Sequence, residues 1–290
     1  MKLQDLPAEG LEPAKPPVFQ ADIEFARDPG GATGICRQRV SYPFHLGRAL
    51  KIPGDPAGMP TVYLQSCSGG IFQHDDLRVR IVAGPGASAH VTSAASTVVH
   101  GMESAGARQI VELDAGAGAL LEYLPDPVIL FPRARLHNGV RLRLDPQASV
   151  ILGDALILHD PKGGGGAFEF LESEIVARDR TGKLLVCDRF KCSGGDLARA
   201  QPGINGAYAA QATLFALTMA RPVMALVGAM RQALSPIEDV YTAASALPNG
   251  AGAWVRVLAR DAIGARAALH AAWAAARTEI TGLAPAPRRK

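Results

Sequence analysis

The chain has 290 residues, of which 48% are hydrophobic and 20% charged, a balance that excludes a disordered or fibrous protein and allows a substantial buried core. With 30 basic and 27 acidic residues, the net charge of +3 is too even for a nucleic-acid surface, although Pro287-Arg-Arg-Lys290 forms a small basic tail. The four cysteines, Cys36, Cys67, Cys187 and Cys192, make neither a CxxC pair nor a disulfide framework, so reduced thiols in a cytoplasmic protein are expected.

At the N-terminus, MKLQDLPAEGLEPAKPP lacks the apolar core of a signal peptide, and residues 1–20 read as a loose tail. From Ile35 to Cys192 the hydrophobic period is two. Leu77, Val79 and Ile81 alternate with Arg78 and Arg80, and Val140, Leu142 and Leu144 with Arg141 and Arg143, as in strands with one buried face. The β body is set at 35–205. Asn138-Gly139 predicts a tight hairpin turn before the second alternation. A second hairpin is expected between Phe168–Ala177 and Lys183–Cys192, around Asp179-Arg-Thr-Gly182.

Three segments share a small-residue turn followed by an apolar strand: Gly86-Ala-Ser-Ala-His-Val-Thr92, Gly116-Ala-Gly-Ala-Leu-Leu-Glu122 and Gln147-Ala-Ser-Val-Ile-Leu-Gly153. Their spacings of 30 and 31 residues fit stacked β layers, each covering its neighbour's open face. The competing reading is that Gly-Ala turns are common in any β protein.

After Gly206 the pattern becomes mixed, over 206–282. Tyr208 to Leu234 reads as helix, broken or kinked at Pro222 and closed by Ser235-Pro236. The apolar run from Ala207 to Ala220 is well short of the roughly 20 residues that span a bilayer, so no membrane span is expected. Trp254-Val-Arg-Val-Leu258 returns to strand. Asp261 then opens an Ala-rich helix that ends near Ile280 at Gly282, and 283–290 form an exposed tail. No Gly, Ser or Pro linker divides these regions, so one domain over 1–290 is expected.

Few motifs carry chemistry. The stretch Ser66-Cys-Ser-Gly-Gly-Ile-Phe-Gln-His-Asp-Asp-Leu77 gathers a thiol, an imidazole and two carboxylates. A phosphate-binding loop would lead into a helix, whereas Ser68-Gly-Gly70 and Gly163–Gly166 both lead into strands. The chain has no GxSxG and no HExxH, which makes an enzyme the weaker class. A hydrolase using Cys67, His74 and Asp75 stays as an alternative. Cys187 and Cys192 fall on opposite faces of one strand and cannot readily share a metal. His90, His100, His137 and His159 show no metal spacing, and Glu122 before Tyr123-Leu-Pro125 reads as a solvated strand-end acid.

Two acids interrupt apolar strands: Asp154 in Ser149-Val-Ile-Leu-Gly-Asp-Ala-Leu-Ile-Leu158, and Asp188 in Leu184-Leu-Val-Cys-Asp-Arg189. A buried carboxylate without a partner costs several kcal/mol or shifts its pKa upward. Structural ion pairing, with Arg189 or a neighbouring strand in the case of Asp188, and a water-filled polar passage both satisfy them.

Taken in order, Gly69-Gly-Ile-Phe-Gln-His-Asp-Asp-Leu77, Gly84-Pro-Gly-Ala87, Val91–His100, Leu121-Glu-Tyr-Leu-Pro125 and Ile129-Leu-Phe-Pro132 resemble the urease accessory protein D family, also called UreH. Ile151-Leu-Gly-Asp154, Leu184–Arg189, Trp254–Leu258, Ala272-Ala-Trp-Ala-Ala-Ala-Arg277 and Pro285-Ala-Pro-Arg288 continue it over nearly the whole chain. Cys67-Ser68 stands where the family usually has Pro-Pro, and Gln73-His74 where it has a second Gly-Gly. Arg289-Lys290 replaces the aromatic that usually follows the final Pro-Arg.

The resemblance implies a mainly β fold, a superhelical stack of β-strand layers with helices in its C-terminal portion. It further implies a non-enzymatic urease maturation scaffold or chaperone. Such a scaffold binds the accessory protein F, which recruits the nickel-carrying GTPase G, and contacts the urease apoprotein. No tightly bound cofactor is implied, only transient Ni²⁺. Carried over by motif, the family's internal nickel passage falls on Asp75, Thr97, Asp154 and Asp188. His74 and Cys67 are possible extra ligands peculiar to this chain.

Overall fold

Alternation such as that of Leu77–Ile81 forms strands because one face can be buried while the arginines between stay in water. The computed structural model of the chain describes residues 17–286, with 46% in strands and 14% in helices, which makes the fold mainly β. Most of the expected N-terminal tail, and the basic residues 287–290, lie outside the described residues.

In chain order the first strands are β1 (Ala21–Arg27), β2 (Thr33–Val40), β3 (Phe44–Leu46), β4 (Leu50–Lys51), β5 (Pro60–Ser66) and β6 (Asp76–Ala83). There follow β7 (Ser88–Ser93), β8 (Thr97–Val99), β9 (Ala107–Ala115), β10 (Leu120–Tyr123), β11 (Val128–Leu130) and β12 (Arg135–Leu144). Next come β13 (Ser149–Leu158), β14 (Phe170–Asp179), β15 (Leu184–Cys192), the short helix α1 (Gly194–Ala198) and β16 (Ala210–Thr218). The chain closes with α2 (Val223–Leu234), β17 (Val240–Ala246), β18 (Gly252–Ala259) and α3 (Ala262–Thr281).

These strands form two sheets. One has the order β15-β14-β12-β9-β6-β1-β2. The other runs β17-β18-β16-β13-β10-β7-β5-β3, with β11 beside β13 and β8, and β4 beside β5. In the middle of each sheet the strands are parallel, because the chain crosses from one sheet to the other at every turn and returns one layer further on. The fold is therefore a stack of β coils.

The corners of the coils are the three repeated segments. Leu120 N–H donates to Ala87 O, and Ser149 N–H to Ala119 O, at 2.9 and 2.8 Å, so Ala87, Ala119 and Ala148 are equivalent and all buried. Larger residues would hold adjacent corners apart. At Gly116 an added Cβ would stand 2.9 Å from Pro85 N, so the stacking itself requires glycine there. Between the sheets, Val79, Ile81, Val111, Leu113, Val140 and Leu142 meet Val91, Leu121, Val150 and Leu152, each contributing about 1.5–3 kcal/mol on burial.

The outer face of the second sheet is covered by α2 and α3. Ala265, Ala268, Ala272 and Ala276 make the buried stripe of α3, and these small side chains let the helix lie close to β13, β16 and β18. Asp261 caps its start by accepting from Gly264 N–H at 2.9 Å, and Gly282, at φ +78°, ends it.

The β14–β15 hairpin forms around the expected turn, with Gly182 at φ +89°. Two other expectations are corrected. Asn138-Gly139 makes no hairpin: both residues lie inside β12, paired in register with β9 and β14 on its two sides. Two full ladders outweigh the turn preference of the dipeptide, and a Cβ on Gly139 would come 2.7 Å from the Ile110 side chain. The helix expected over Tyr208–Leu234 exists only as α2, which Pro222 precedes as its cap rather than kinks. Residues Ala210–Thr218 form strand β16 between β13 and β18. Buried on both faces, a central strand is apolar throughout and carries no period-two signal.

Candidate functional site

A cavity of about 480 Å³ lies between the two sheets, where loops 66–70 and 92–98 leave the strands. Cys67, Thr97, Asp126 and Asp154 line it, with Gln109, Asn138 and Tyr123. Asp154 reaches it because β13 alternates: Val150, Leu152 and Asp154 face the opposite sheet, whereas Ile151 and Ala155 face α3. Burial pushes the Asp154 carboxyl above its usual range, a Ser173 hydroxyl 3.4 Å away and the Arg256 charge pull it down, and the Asp188 charge adds to the rise. Burial, with help from the Asp154 charge, also raises Tyr123. Among the described residues Asp154 has no cation within ion-pair distance, so of the two satisfactions open to it the structure provides a polar wall, not an ion pair.

Asp188 is held differently. It faces inward from β15, and Arg256 of β18 binds both of its carboxylate oxygens at 2.9 Å while donating to Thr213 Oγ1 at 3.0 Å. Its partner is thus on a strand of the other sheet, and Arg189 pairs with Glu174 instead. Asp188 and Arg256 line a second cavity of about 560 Å³ at the open end of the sandwich, with Phe190, Tyr208, Tyr241 and Trp254. Asp154 and its neighbours Ser173, Thr213 and Arg256 stand between the two cavities.

The stretch Ser66–Leu77 is a turn built for close packing. Gly70, at φ +142°, passes so near β8 that a Cβ would lie 2.4 Å from Val98 O, which allows the bridge between Ile71 and Val99. Asp75 Oδ2 accepts from Phe72 N–H at 2.8 Å, closing the loop before β6. Asp75 and His74 are not among the residues lining the cavity, and His74 is exposed at φ +70°. Cys67 is exposed at the cavity rim. Among the described residues no hydrogen bond joins Cys67, His74 and Asp75, and no group of three or more His, Cys, Asp and Glu is placed to hold one metal ion. Cys187 is exposed and Cys192 half-buried on the opposite face, where burial pushes its thiol up to about 11.

Glu122 is not the solvated acid expected. It faces α3 and is 0% exposed, receiving Arg277 Nε at 2.7 Å, Arg277 Nη2, and His90 Nδ1 at 2.7 Å. Arg277 also donates to Asp55 Oδ1 at 2.6 Å and lies over the Trp273 ring at 4.9 Å. The signal was present in the pattern: Arg277 falls on the apolar stripe of α3, four residues beyond Trp273. Asp126, Arg256 and Ser173 also escaped sequence reasoning, because nothing local distinguishes an inward polar residue from an outward one.

Stacked parallel β coils, a helical cover and a cavity lined by spaced polar groups define a β-solenoid-like protein. The model of the UreD urease accessory protein family matches residues 20–290. The chain is 47% identical over 270 residues to urease accessory protein UreD 1 of Pseudomonas syringae pv. syringae, covering 93% of this chain and 95% of that one. It is 36% identical to UreD 1 of Methylorubrum populi over 100% of this chain and 99% of the other. To UreD 2 of Streptomyces griseus it is 32% identical, with 92% and 91% covered. The chain belongs to the UreD urease accessory protein family, and this membership carries a role in urease maturation. Among the described residues no helix is long and apolar enough to cross a membrane.

Proposed function

We propose that the chain is a maturation scaffold that bridges the urease apoprotein and the accessory proteins F and G, and that Ni²⁺, as cargo, moves through its interior. The observation that carries this reading is the position of Asp154, between two cavities and, among the described residues, without an ion-pair partner. A transit route must hold its cargo weakly. Spaced carboxylate, hydroxyl and amide groups with water do so, whereas a closed Cys and His cage would retain the ion. Burial pushes the Asp154 carboxyl up, and a carboxyl group binds a metal only when deprotonated, so its hold on a cation depends on pH.

In this scheme Thr97 and Cys67 stand at the first cavity with Asp154, and Asp188 at the second, where Arg256 must release it before it can act as a ligand. Asp75 and His74 act at the entrance turn. Asp126, inside the first cavity, joins the set on geometry alone. The relatives are named accessory proteins, which supports a scaffold without turnover of its own.

The test is co-expression with the cognate F and G proteins followed by size-exclusion chromatography, then urease activation with wild-type chain and with Asp154→Asn. A co-eluting complex that forms with both chains, but activates urease only with wild type, is expected. A folded chain that elutes alone would remove the bridging role. An Asp154→Asn chain that activates fully would remove the passage.

A further inference from the structure

The outer face of the first sheet is a field of charge in which most cations have a partner. Arg37 pairs with Glu24, Arg80 with Asp22, Arg78 with Asp76, Lys191 with Glu172, and Arg189 with Glu174. Arg39 of β2 and Arg108 of β9 are exposed and make no ion pair among the described residues either, but each lies opposite an acid in register, Asp22 and Asp76. In one area such arginines cluster. Arg141 and Arg143 of β12 and Arg178 of β14 project from the same face and are exposed, and among the described residues none makes an ion pair.

The register explains why. Arg143 lies opposite Arg178 on one side and Asp114 on the other, but Arg180 takes both oxygens of Asp114, at 2.6 and 3.0 Å. Asp179, at the end of β14, is turned into its own hairpin, accepting from Thr181 and Lys183 N–H. Glu112 lies between Arg141 and Arg80 in register and acts on the Arg80 charge. Like charges directly opposite on neighbouring strands destabilise a sheet. Arg178 donates to Gly182 O of its own hairpin at 2.9 Å, but among the described residues Arg143 gains no ion pair from lying against it.

We infer that Arg141, Arg143 and Arg178 form a docking surface for an acidic segment of a protein partner. The inference rests on the scaffold reading above, since it supplies one of the contacts by which such a scaffold assembles. Guanidinium groups bind carboxylates with two parallel hydrogen bonds. Two residues apart on one strand, Arg141 and Arg143 match carboxylates spaced about 7 Å, and Arg178 extends the match to the neighbouring strand. Nucleic acid fits less well, because the cross-strand rows holding these arginines carry no aromatic side chain for bases to stack on.

The test is the triple variant Arg141→Glu, Arg143→Glu, Arg178→Glu, with the triple Gln variant beside it, titrated against the cognate urease apoprotein and accessory proteins at low and high salt. The Gln variant should keep the wild-type circular dichroism and a Tm close to wild type, losing only the Arg178 hydrogen bond to Gly182 O. The Glu variant, which sets carboxylates opposite Glu112 and Asp114, should melt somewhat lower and is compared at a temperature where every chain is folded. At low salt, binding to one partner should weaken tenfold or more in the Glu variant and less in the Gln variant, and the difference should shrink at 0.5 M salt. Equal binding by wild type and Glu variant overturns the surface while leaving the scaffold reading in place. Wild type that binds no partner overturns both, and variant-sensitive binding to anionic vesicles or DNA with unchanged protein binding assigns the patch elsewhere and overturns it too.

Discussion

Arg277 of α3 and Glu122 of β10 form an ion pair in which both side chains are 0% exposed, and it ties the C-terminal helix to a β coil 155 residues earlier in the chain. His90 and Asp55 complete the group from β7 and the loop before β5. Its hydrogen bonds offset the desolvation of the two charges. Without Arg277, two carboxylates would face each other in a dry interface.

Arg277→Met is therefore expected to destabilise the protein by about 3–5 kcal/mol, the range for breaking a buried pair by removing one partner. Chemical denaturation measures it. A loss below about 1 kcal/mol would mean that the interface readily admits water.

The same group sets the acid limb of stability. Burial, the largest influence, pushes Glu122 up, but hydrogen bonds from His90 and Arg277 together outweigh it and hold the carboxyl at about 2, below its ordinary 4.5. A depressed carboxylate contributes stability that is present above its unfolded pKa and lost as pH falls through the folded value. The Tm should thus fall between about pH 4.5 and pH 2, and Glu122→Gln should flatten that limb while lowering the Tm at neutral pH.

Asp154 and Asp188 should respond oppositely to removal of charge. The Asp154 pKa is raised, so its contribution to stability is greatest below the unfolded value and declines as pH rises through the folded one. Asp154→Asn removes this penalty and should raise the Tm at pH 7 while abolishing urease activation. Asp188→Asn strands Arg256 and should cost about 1.5–3 kcal/mol, the range for a hydrogen bond to a charged group. Thermal melts of the two variants side by side decide the matter, and a destabilised Asp154→Asn would mark Asp154 as structural.

Gly70→Ala should cost about 1–3 kcal/mol or more. Its φ of +142° is strained for any side chain, and the added Cβ would meet Val98 O. Gly69→Ala, with open space around it at φ +77°, should cost less. Equal effects at the two positions would show that backbone conformation, and not the approach of β8, governs the turn.

Much of this protein was legible in its residue order. Strands such as β6 and β12 announce themselves through alternation, because a sheet face in contact with water must be polar. The coil corners appear as Gly-Ala repeats, since only small residues stack there, and Asp261 and Gly282 mark the ends of α3 by the needs of its unpaired backbone groups. Asp154 and Asp188 stood out because charge inside an apolar strand demands a partner or a cavity. Order alone did not separate the two. Arg256, 68 residues from Asp188, arrives only when the last strands join the second sheet, and Asp154 has no such visitor. In the same way β16 loses its alternation because it is covered on both faces, Asn138-Gly139 is held straight by the ladders on either side, and Glu122 is buried because α3 returns to cover it. Local pattern records which groups must avoid or reach water. Which distant group meets each of them is decided by packing, and packing exists only in the folded chain.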